Sequence, residues 1–349
     1  MAKADSLRGS GAGVTSIAVA HAANVSQSTV SLVLSGKAAG RVSLATKAKV
    51  EEAARRLGYQ PNVSAQMLRT GTAKVLALAV PNVKQPYFGQ IFVAAELAAR
   101  EFEIAVILID TAMDPNWAAR LVSMLRSRLV AGCIVYADDN TSAATLRPVR
   151  RQILFIEAEI PSFSGIDLNL EGAMRAVAEH LARLGHVRFG YFSAEYPKAT
   201  YKRRFACLLH EANKLGLRYA PEWRGSAPFE LEPATQGALA LLKNAPFTAL
   251  FCDDDLLAAG VYRAARALGL TIPKDLSVVG FNDLELARTL TPELTSVAIP
   301  AEAIGRAAVE RLLHQIQHNR LSQKPLIAEL ELHVRESTAP PRRDRLSDA

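Results

Sequence analysis

Two groups of side chains in this 349-residue chain have types and spacings suited to chemistry. The first is Ser26-Gln27-Ser28-Thr29, followed by Ser31. These short hydroxyls and an amide can exchange hydrogen bonds with base edges and phosphate oxygens. A Ser/Thr-rich helix start is also what an ordinary capped helix looks like, so context must decide. The second group consists of polar and aromatic residues that follow short apolar runs. Tyr87-Phe88 come after the run at 75–80, Asp253-Asp254-Asp255 after 249–252, and Phe281-Asn282-Asp283 after 277–280. Open α/β sheets take ligands beyond the carboxyl ends of their strands. Tyr87 and Phe88 would give such a site an apolar wall, and Asp254 and Asn282 would bond hydroxyls. Asp255 is read instead as the N-cap of a helix expected from Leu256.

Catalytic spacings are missing from the chain. It has no GxSxG, HExxH, GxxxxGK[ST] or GxGxxG. The seven histidines do not pair at metal-ligand spacing; His314 and His318 are four apart but have no carboxylate motif beside them. Cys133, Cys207 and Cys252 lie far apart with no CxxC spacing, which predicts reduced thiols. The expectation is a protein that is not an enzyme and needs no metal or cofactor. His186, in a Gly-His turn, is expected to be structural, and Trp223 to be a core or rim residue. No apolar run is long enough to span a bilayer, and Met1–Gly13 lacks the apolar segment of an export signal. A cytoplasmic location is therefore expected.

The elements that must position these groups fall into two parts. Residues 1–71 hold nine Lys/Arg against three Asp/Glu, while the remainder is nearly balanced at 32 against 31. A basic segment ahead of a near-neutral body fits a polyanion-binding module. Within it, Thr15 caps a helix with Ile17, Val19, Ala20 and Ala23 on its apolar face, and Asn24 tolerates a left-handed turn. Ser26 caps a second helix over 27–34, stopped by Gly36. Ser43 caps a third, with Val50, Ala53, Ala54 and Leu57 in one stripe and Gly58 as the stop. Three short helices with a tight turn between the first two describe a helix-turn-helix unit. From Val75 onward, strands predicted at 75–80, 105–109, 133–136, 153–156, 189–192, 249–252, 277–280 and 327–334 alternate with helices near 92–102, 117–126, 171–184, 201–215, 235–242, 256–268 and 302–318. That alternation predicts parallel, Rossmann-like sheets flanked by helices, in two lobes because the units are too many for one small sheet.

The headpiece closely resembles that of the lactose-repressor (LacI/GalR) family. The match runs through Val25-Ser26-Gln27-Ser28-Thr29-Val30-Ser31, Val33-Leu34-Ser35-Gly36, Val42-Ser43, Leu57-Gly58-Tyr59-Gln60-Pro61-Asn62 and Leu68-Arg69-Thr70-Gly71. The resemblance continues to about residue 336. It implies a periplasmic-binding-protein-like domain whose chain crosses between lobes more than once, a hinge helix after Asn62, and a minor-groove wedge at Leu68. It also implies an effector-binding arginine at Arg204, whose guanidinium is a fixed fork of donors. Three positions depart from the family pattern. Ala18 stands where an acid is usual, Asn24 where a glycine is, and Leu32 where an arginine often is. The residues aligned with the family's contacting Asn and Asp are Asp254 and Asn282, as if exchanged.

The resulting expectation is an extension over 1–13 without fixed structure, a DNA-binding headpiece over 14–60, a hinge over 61–71, an effector-binding and dimerisation domain over 72–336, and a flexible tail over 337–349. Thr15, Ser26, Gln27, Ser28, Thr29, Ser31, Asn62, Ser64 and Leu68 would contact a pseudo-palindromic operator duplex. Tyr87, Phe88, Arg204, Asp254 and Asn282 would hold a sugar or similar polyhydroxylated effector. The expected protein is a homodimeric repressor with no membrane partner. The rival reading is a cytoplasmic sugar-metabolising enzyme or sugar-binding protein with an incidental basic N-terminus.

Overall fold

The structure is a computed structural model that describes residues 14–36, 38–59, 73–112, 114–136, 140–158, 160–195, 199–243, 245–322 and 324–342. Asn62, Ser64 and Leu68, with the expected hinge, lie outside the described residues, as do 1–13. The chain divides into two compact units at Thr72/Ala73.

The small unit contains α1 (Ser16–Ala23), α2 (Gln27–Leu34) and α3 (Leu44–Leu57). The Thr15, Ser26 and Ser43 side chains each accept the backbone N–H three residues on, as the sequence predicts; each such cap stabilises its helix by about 1 kcal/mol. Asn24 takes the left-handed turn at φ 53°, and α1 and α2 are bent by 103°. Val19, Ala20, Ala23, Val30, Val33, Val50, Ala53 and Ala54 form the core. Ile17, expected to belong to it, is 56% exposed. It lies two residues before Val19, about 200° around the helix, and so faces away from the stripe.

The large unit contains two six-stranded sheets. Lobe I has the order β11-β5-β4-β3-β1-β2, formed by β1 (Val75–Val80), β2 (Ala105–Asp110), β3 (Gly132–Tyr136), β4 (Ile153–Ile156), β5 (Ser164–Leu168) and β11 (Leu326–Ala328). Lobe II has the order β12-β10-β9-β8-β6-β7, formed by β6 (Phe189–Ala194), β7 (Arg224–Ala227), β8 (Ala249–Cys252), β9 (Ser277–Asn282), β10 (Thr295–Ala298) and β12 (Glu331–His333). All pairings are parallel except β10 with β12. The helices are α4 (Pro86–Arg100), α5 (Trp117–Arg126), α6 (Asn140–Leu146), α7 (Leu170–Arg183), α8 (Ala199–Lys214), α9 (Leu231–Leu242), α10 (Asp255–Ala267), α11 (Glu285–Thr289) and α12 (Ala301–His318), with a 3-10 turn over Arg147–Gln152. Strand residues alternate between faces: Leu76, Leu78 and Val80 join the cluster with α4 and α12, whereas Ala77 and Ala79 pack on α5. Helices α4 and α12 cross closely at Gly305, where a Cβ would come within 2.7 Å of the Ile91 carbonyl.

The chain passes between the lobes three times: after β5, after β10, and between β11 and β12. The last passage corrects the single strand predicted at 327–334. That run is broken at 329–330, and each half pairs in a different sheet. Strands at 164–168, 224–227 and 295–298 were not foreseen, because Ser-Gly-Ile-Asp-Leu, Arg-Gly-Ser-Ala and Thr-Ser-Val-Ala carry weak β signals. The tail expected to be free from 337 is docked through Arg342. Ser337 is fully buried and donates to the Val278 carbonyl at 2.6 Å, Ala339 N–H donates to Ser277 Oγ at 3.0 Å, and Arg342 pairs with Asp275 at 2.9 Å. Among the described residues no single helix is long and apolar enough to cross a membrane.

Candidate functional site

In the small unit the start of α2 presents Ser26, Gln27 and Ser28 to solvent, with Thr15 exposed at the start of α1 and Thr29 and Ser31 half-buried. Ser26 Oγ is engaged by Ser28 Oγ at 2.8 Å and Thr29 Oγ1 at 2.9 Å, and Gln27 Nε2 donates to Ser16 Oγ at 3.0 Å. These bonds hold the polar side chains as one patch over the first turn of the helix. Such a surface suits phosphate oxygens and groove edges.

The large unit gathers its candidate residues where the strands of both sheets end. On the lobe II wall the three consecutive aspartates do different work. Asp253 receives Tyr191 Oη at 2.6 Å and Ala194 N–H at 3.0 Å, and Arg204 Nη1 lies 3.1 Å from its carboxylate and 2.7 Å from its backbone carbonyl. The Arg204 guanidinium stacks 3.4 Å from the centre of the Phe281 ring, a cation–π contact. Asp254 accepts Leu256 N–H at 2.7 Å and Asn282 Nδ2 at 2.7 Å. Asp254, not Asp255, is thus the cap of α10. Asp255 points inward to Ser296 Oγ at 2.6 Å and Leu284 N–H at 2.7 Å, a structural role that its neighbour's cap leaves it free to take. Burial pushes the carboxyls of Asp253 and Asp255 up, and that of Asp254 to about 7.

On the lobe I wall, α4 begins at Pro86, six residues before the predicted start, so Tyr87 and Phe88 sit on its first turn. The expected aromatic wall is divided. Tyr87 donates its hydroxyl to Glu157, whereas Phe88 packs edge-on against Tyr136 at 4.8 Å in the lobe core. Tyr136 donates to the second Glu157 oxygen at 3.1 Å. Glu157 is 4% exposed and burial raises its pKa, an effect that the Arg204 charge and both phenols oppose. The same Arg204 charge acts on Tyr87, so the two walls sense each other electrostatically. A second link between lobes is the two-pronged pair of Arg203 on α8 with Asp167 at the end of β5, at 2.8 and 3.1 Å.

The structure therefore brings Arg204, Asp254 and Asn282 together and places Tyr87 within reach of their field. Glu157, Tyr136, Asp167 and the role of Asp253 were missed in the sequence. Glu157 and Tyr136 had an available signal, since each lies at or just after a strand's carboxyl end. His186 is buried with Nδ1 2.8 Å from Thr248 Oγ1, and Trp223 packs near Phe247, as expected of structural residues. The three cysteines are unpaired, and among the described residues no group of three or more His, Cys, Asp or Glu is arranged to hold a metal.

A helix-turn-helix unit ahead of two parallel-sheet lobes, with polar residues converging at the strand ends, defines a DNA-binding protein that answers to a small ligand. Residues 18–62 match the model of bacterial regulatory proteins of the lacI family, and residues 178–338 match the periplasmic binding protein-like domain. The chain thus carries a LacI-family helix-turn-helix domain and a periplasmic-binding-protein-like domain, and is a DNA-binding transcriptional regulator controlled by a small-molecule effector. It is 28% identical over 333 residues to the transcriptional repressor PurR of Mannheimia succiniciproducens, covering 91% of this chain and 97% of that one. It is 29% identical over 330 residues to the repressor CytR of Escherichia coli, covering 92% and 95%. Among solved structures it is similar to the Lac repressor dimer bound to operator and the anti-inducer ONPF, at TM-score 0.84 and 25% identity over 94% of this chain and 100% of that one. It is also similar to the CelR–cellobiose complex, at TM-score 0.69 and 25% identity over 93% and 99%.

Proposed function

We propose that the chain is a homodimeric repressor whose inter-lobe cleft takes a sugar or similar polyhydroxylated metabolite. The observation that carries this reading is the Asp254–Asn282 pair beside Arg204, set against Tyr87 and Glu157 on the other lobe. Together they offer a carboxylate, an amide, a guanidinium and a phenol, which match the alternating donors and acceptors of a polyol. The cellobiose complex among the structural relatives and the ribose operon repressor of Haemophilus influenzae, 27% identical over 327 residues, are consistent with it.

Thr15, Ser26, Gln27, Ser28, Thr29 and Ser31 are the proposed contacts to one operator half-site, with Asn62, Ser64 and Leu68 contributing from the hinge. One headpiece reads one half of a pseudo-palindrome, so two copies are needed, as in the Lac repressor dimer on its operator. Effector that binds one inter-lobe arrangement more tightly shifts the population toward it and changes operator affinity by the same coupling.

The test is a thermal-shift screen of pentoses, hexoses, disaccharides, nucleosides and free purines, followed by operator retention with each hit. A polyol at a hundred times its Kd should stabilise the protein by ~2.7 kcal/mol, about 5–10 °C, and alter retention on the duplex. A response confined to free bases would reject the polyol assignment. A polyol that binds without altering retention would reject the coupling.

A further inference from the structure

We propose that the large unit carries a second nucleic-acid contact: an arginine face on lobe I, at the sheet edge opposite the effector cleft, that binds the phosphates of duplex DNA flanking the operator. This inference rests on the DNA-binding reading above and concerns a surface remote from both sites described there.

The face is built where the strands of lobe I begin. Ala131 N–H donates to the Val75 carbonyl at 2.7 Å, Gln152 Nε2 to the Ala131 carbonyl at 3.3 Å, and Gln315 Nε2 to the carbonyls of Ile153 at 3.0 Å and Arg150 at 3.3 Å. These bonds join the start of β1, the turn before β3, the 3-10 turn before β4 and the end of α12 into one edge. Six arginines belong to those segments: Arg126, Arg128, Arg147, Arg150, Arg151 and Arg320. All are exposed except Arg150, which is half-buried.

Among the described residues they lack carboxylate partners and are gathered on one edge, although Arg183, Arg218 and Arg266 of lobe II lack such partners too and Arg150 donates to the Arg147 carbonyl at 3.5 Å. Among the described residues none of the six lies within ion-pair distance of a carboxylate, whereas Arg100, Arg120, Arg175, Arg263 and Arg306 elsewhere on the large unit each have one. Helix-end carbonyls favour a nearby cation, but each terminus supplies only about half a charge. Six guanidiniums gathered on one edge, with no carboxylate paired to them among the described residues, call for a ligand with many negative charges. The guanidinium fork suits phosphate, and a duplex presents phosphates at regular spacing.

Topology selects DNA as that ligand. The chain arriving from the headpiece enters the large unit at Ala73–Lys74, at the start of β1 and on this same edge. A duplex gripped by the headpiece is thereby joined through one chain to the unit that carries the arginines, and such tethering raises effective concentration.

The experiment compares the full-length chain with the triple variant Arg126→Gln, Arg147→Gln, Arg151→Gln. A control triple, Arg183→Gln, Lys243→Gln, Arg266→Gln, makes the same charge change at exposed positions of lobe II. The probes are a 20-bp duplex selected from a random library by the intact protein, and a 60-bp duplex carrying the same site between random flanks. Binding is measured from 50 to 300 mM salt. On the 60-bp duplex the lobe I triple should flatten the plot of log K against log salt by about 2–3, at roughly 0.9 per lost phosphate contact, and weaken binding at 50 mM on the order of tenfold. The control triple should not, the 20-bp duplex should barely respond, and Arg→Lys at the same three positions should restore the slope. Equal slopes for parent and lobe I triple, or equal loss in both triples, would overturn the proposal. Loss on anionic vesicles or single-stranded RNA with none on the flanked duplex would overturn it too. A parent that binds neither duplex would instead count against the headpiece reading itself.

Discussion

The two walls of the proposed cleft have the same origin, residues at the carboxyl ends of parallel strands, but Glu157 and the lobe II aspartates are held in different ways. On lobe II every carboxylate is answered by fixed donors: a guanidinium and a backbone N–H for Asp253, a helix N–H and an amide for Asp254, a hydroxyl and an N–H for Asp255. On lobe I, the Glu157 carboxyl has, among the described residues, the two phenols of Tyr87 and Tyr136 as its hydrogen-bond donors. The lobe II wall is thus a preformed polar surface. On the lobe I wall, Glu157 is held by hydrogen bonds from two phenols and by the more distant Arg204 charge, so its charge responds to whatever approaches from lobe II. A ligand that donates to Glu157 would stabilise the ionised form, and effector affinity would then depend on closure of the lobes.

The strongest challenge to this contrast is Arg204→Ala. It leaves Asp253 buried without its cation, and losing one partner of a buried pair costs ~3–5 kcal/mol. The melting temperature should fall accordingly and the effector response should vanish; an unchanged effector titration would remove Arg204 from the site. Asp254→Asn should act in the other direction. The carboxyl rises from its ordinary value near 4 to about 7 in the folded protein, so the unfolded chain loses the proton first and stability falls as pH climbs through that window. The amide removes that loss, although its single oxygen must now serve two donors. A net gain of ~1–3 kcal/mol at pH 8 and a flatter stability profile between pH 4 and 7 are expected from chemical melts. A profile as steep as the parent's would mean that Asp254 is not the titrating group.

Tyr87→Phe sharpens the reading of the lobe I wall. It removes one of the two donors to Glu157, which should cost ~1–2 kcal/mol. The cost should grow as pH rises through the carboxyl's raised titration, because the phenol donor favours the ionised form that burial disfavours. A pH-independent loss would assign the effect to packing. The smallest change is expected from Arg203→Ala. Its pair with Asp167 joins the lobes but leaves the arginine 42% exposed, so stability should drop by only ~0.2–1 kcal/mol. Effector affinity should shift more than stability does, as measured by calorimetric titration; equal shifts would mean that the pair does not bias closure.

Much of the architecture was legible before the structure. The caps Thr15, Ser26 and Ser43, the turn at Asn24 and the stop at Gly58 are local, set by a side chain and backbone N–H groups a few residues away. Strands such as 75–80 and 153–156 announce themselves as apolar runs. The less visible strands at 164–168 and 295–298 form because neighbouring strands complete their hydrogen bonds, and no property of these short, mixed segments states that. At the site, Arg204 came from resemblance, and the strand-end rule pointed to Asp254 and Asn282 but passed over Glu157.

The sequence alone determined the class of each part: short-range capping and periodicity made the helices of the headpiece, and alternating apolar runs made parallel sheets. Only the folded chain decided the assignment of its polar groups. Asp253, Asp254 and Asp255 are identical side chains in consecutive positions, yet one holds a guanidinium, one caps a helix beside an amide and one is sealed inside. Their partners, Arg204, Asn282 and Ser296, lie 28 to 49 residues away in the chain. A carboxylate's role is set by which donors surround it and how little water reaches it, and both are properties of the packed sheets.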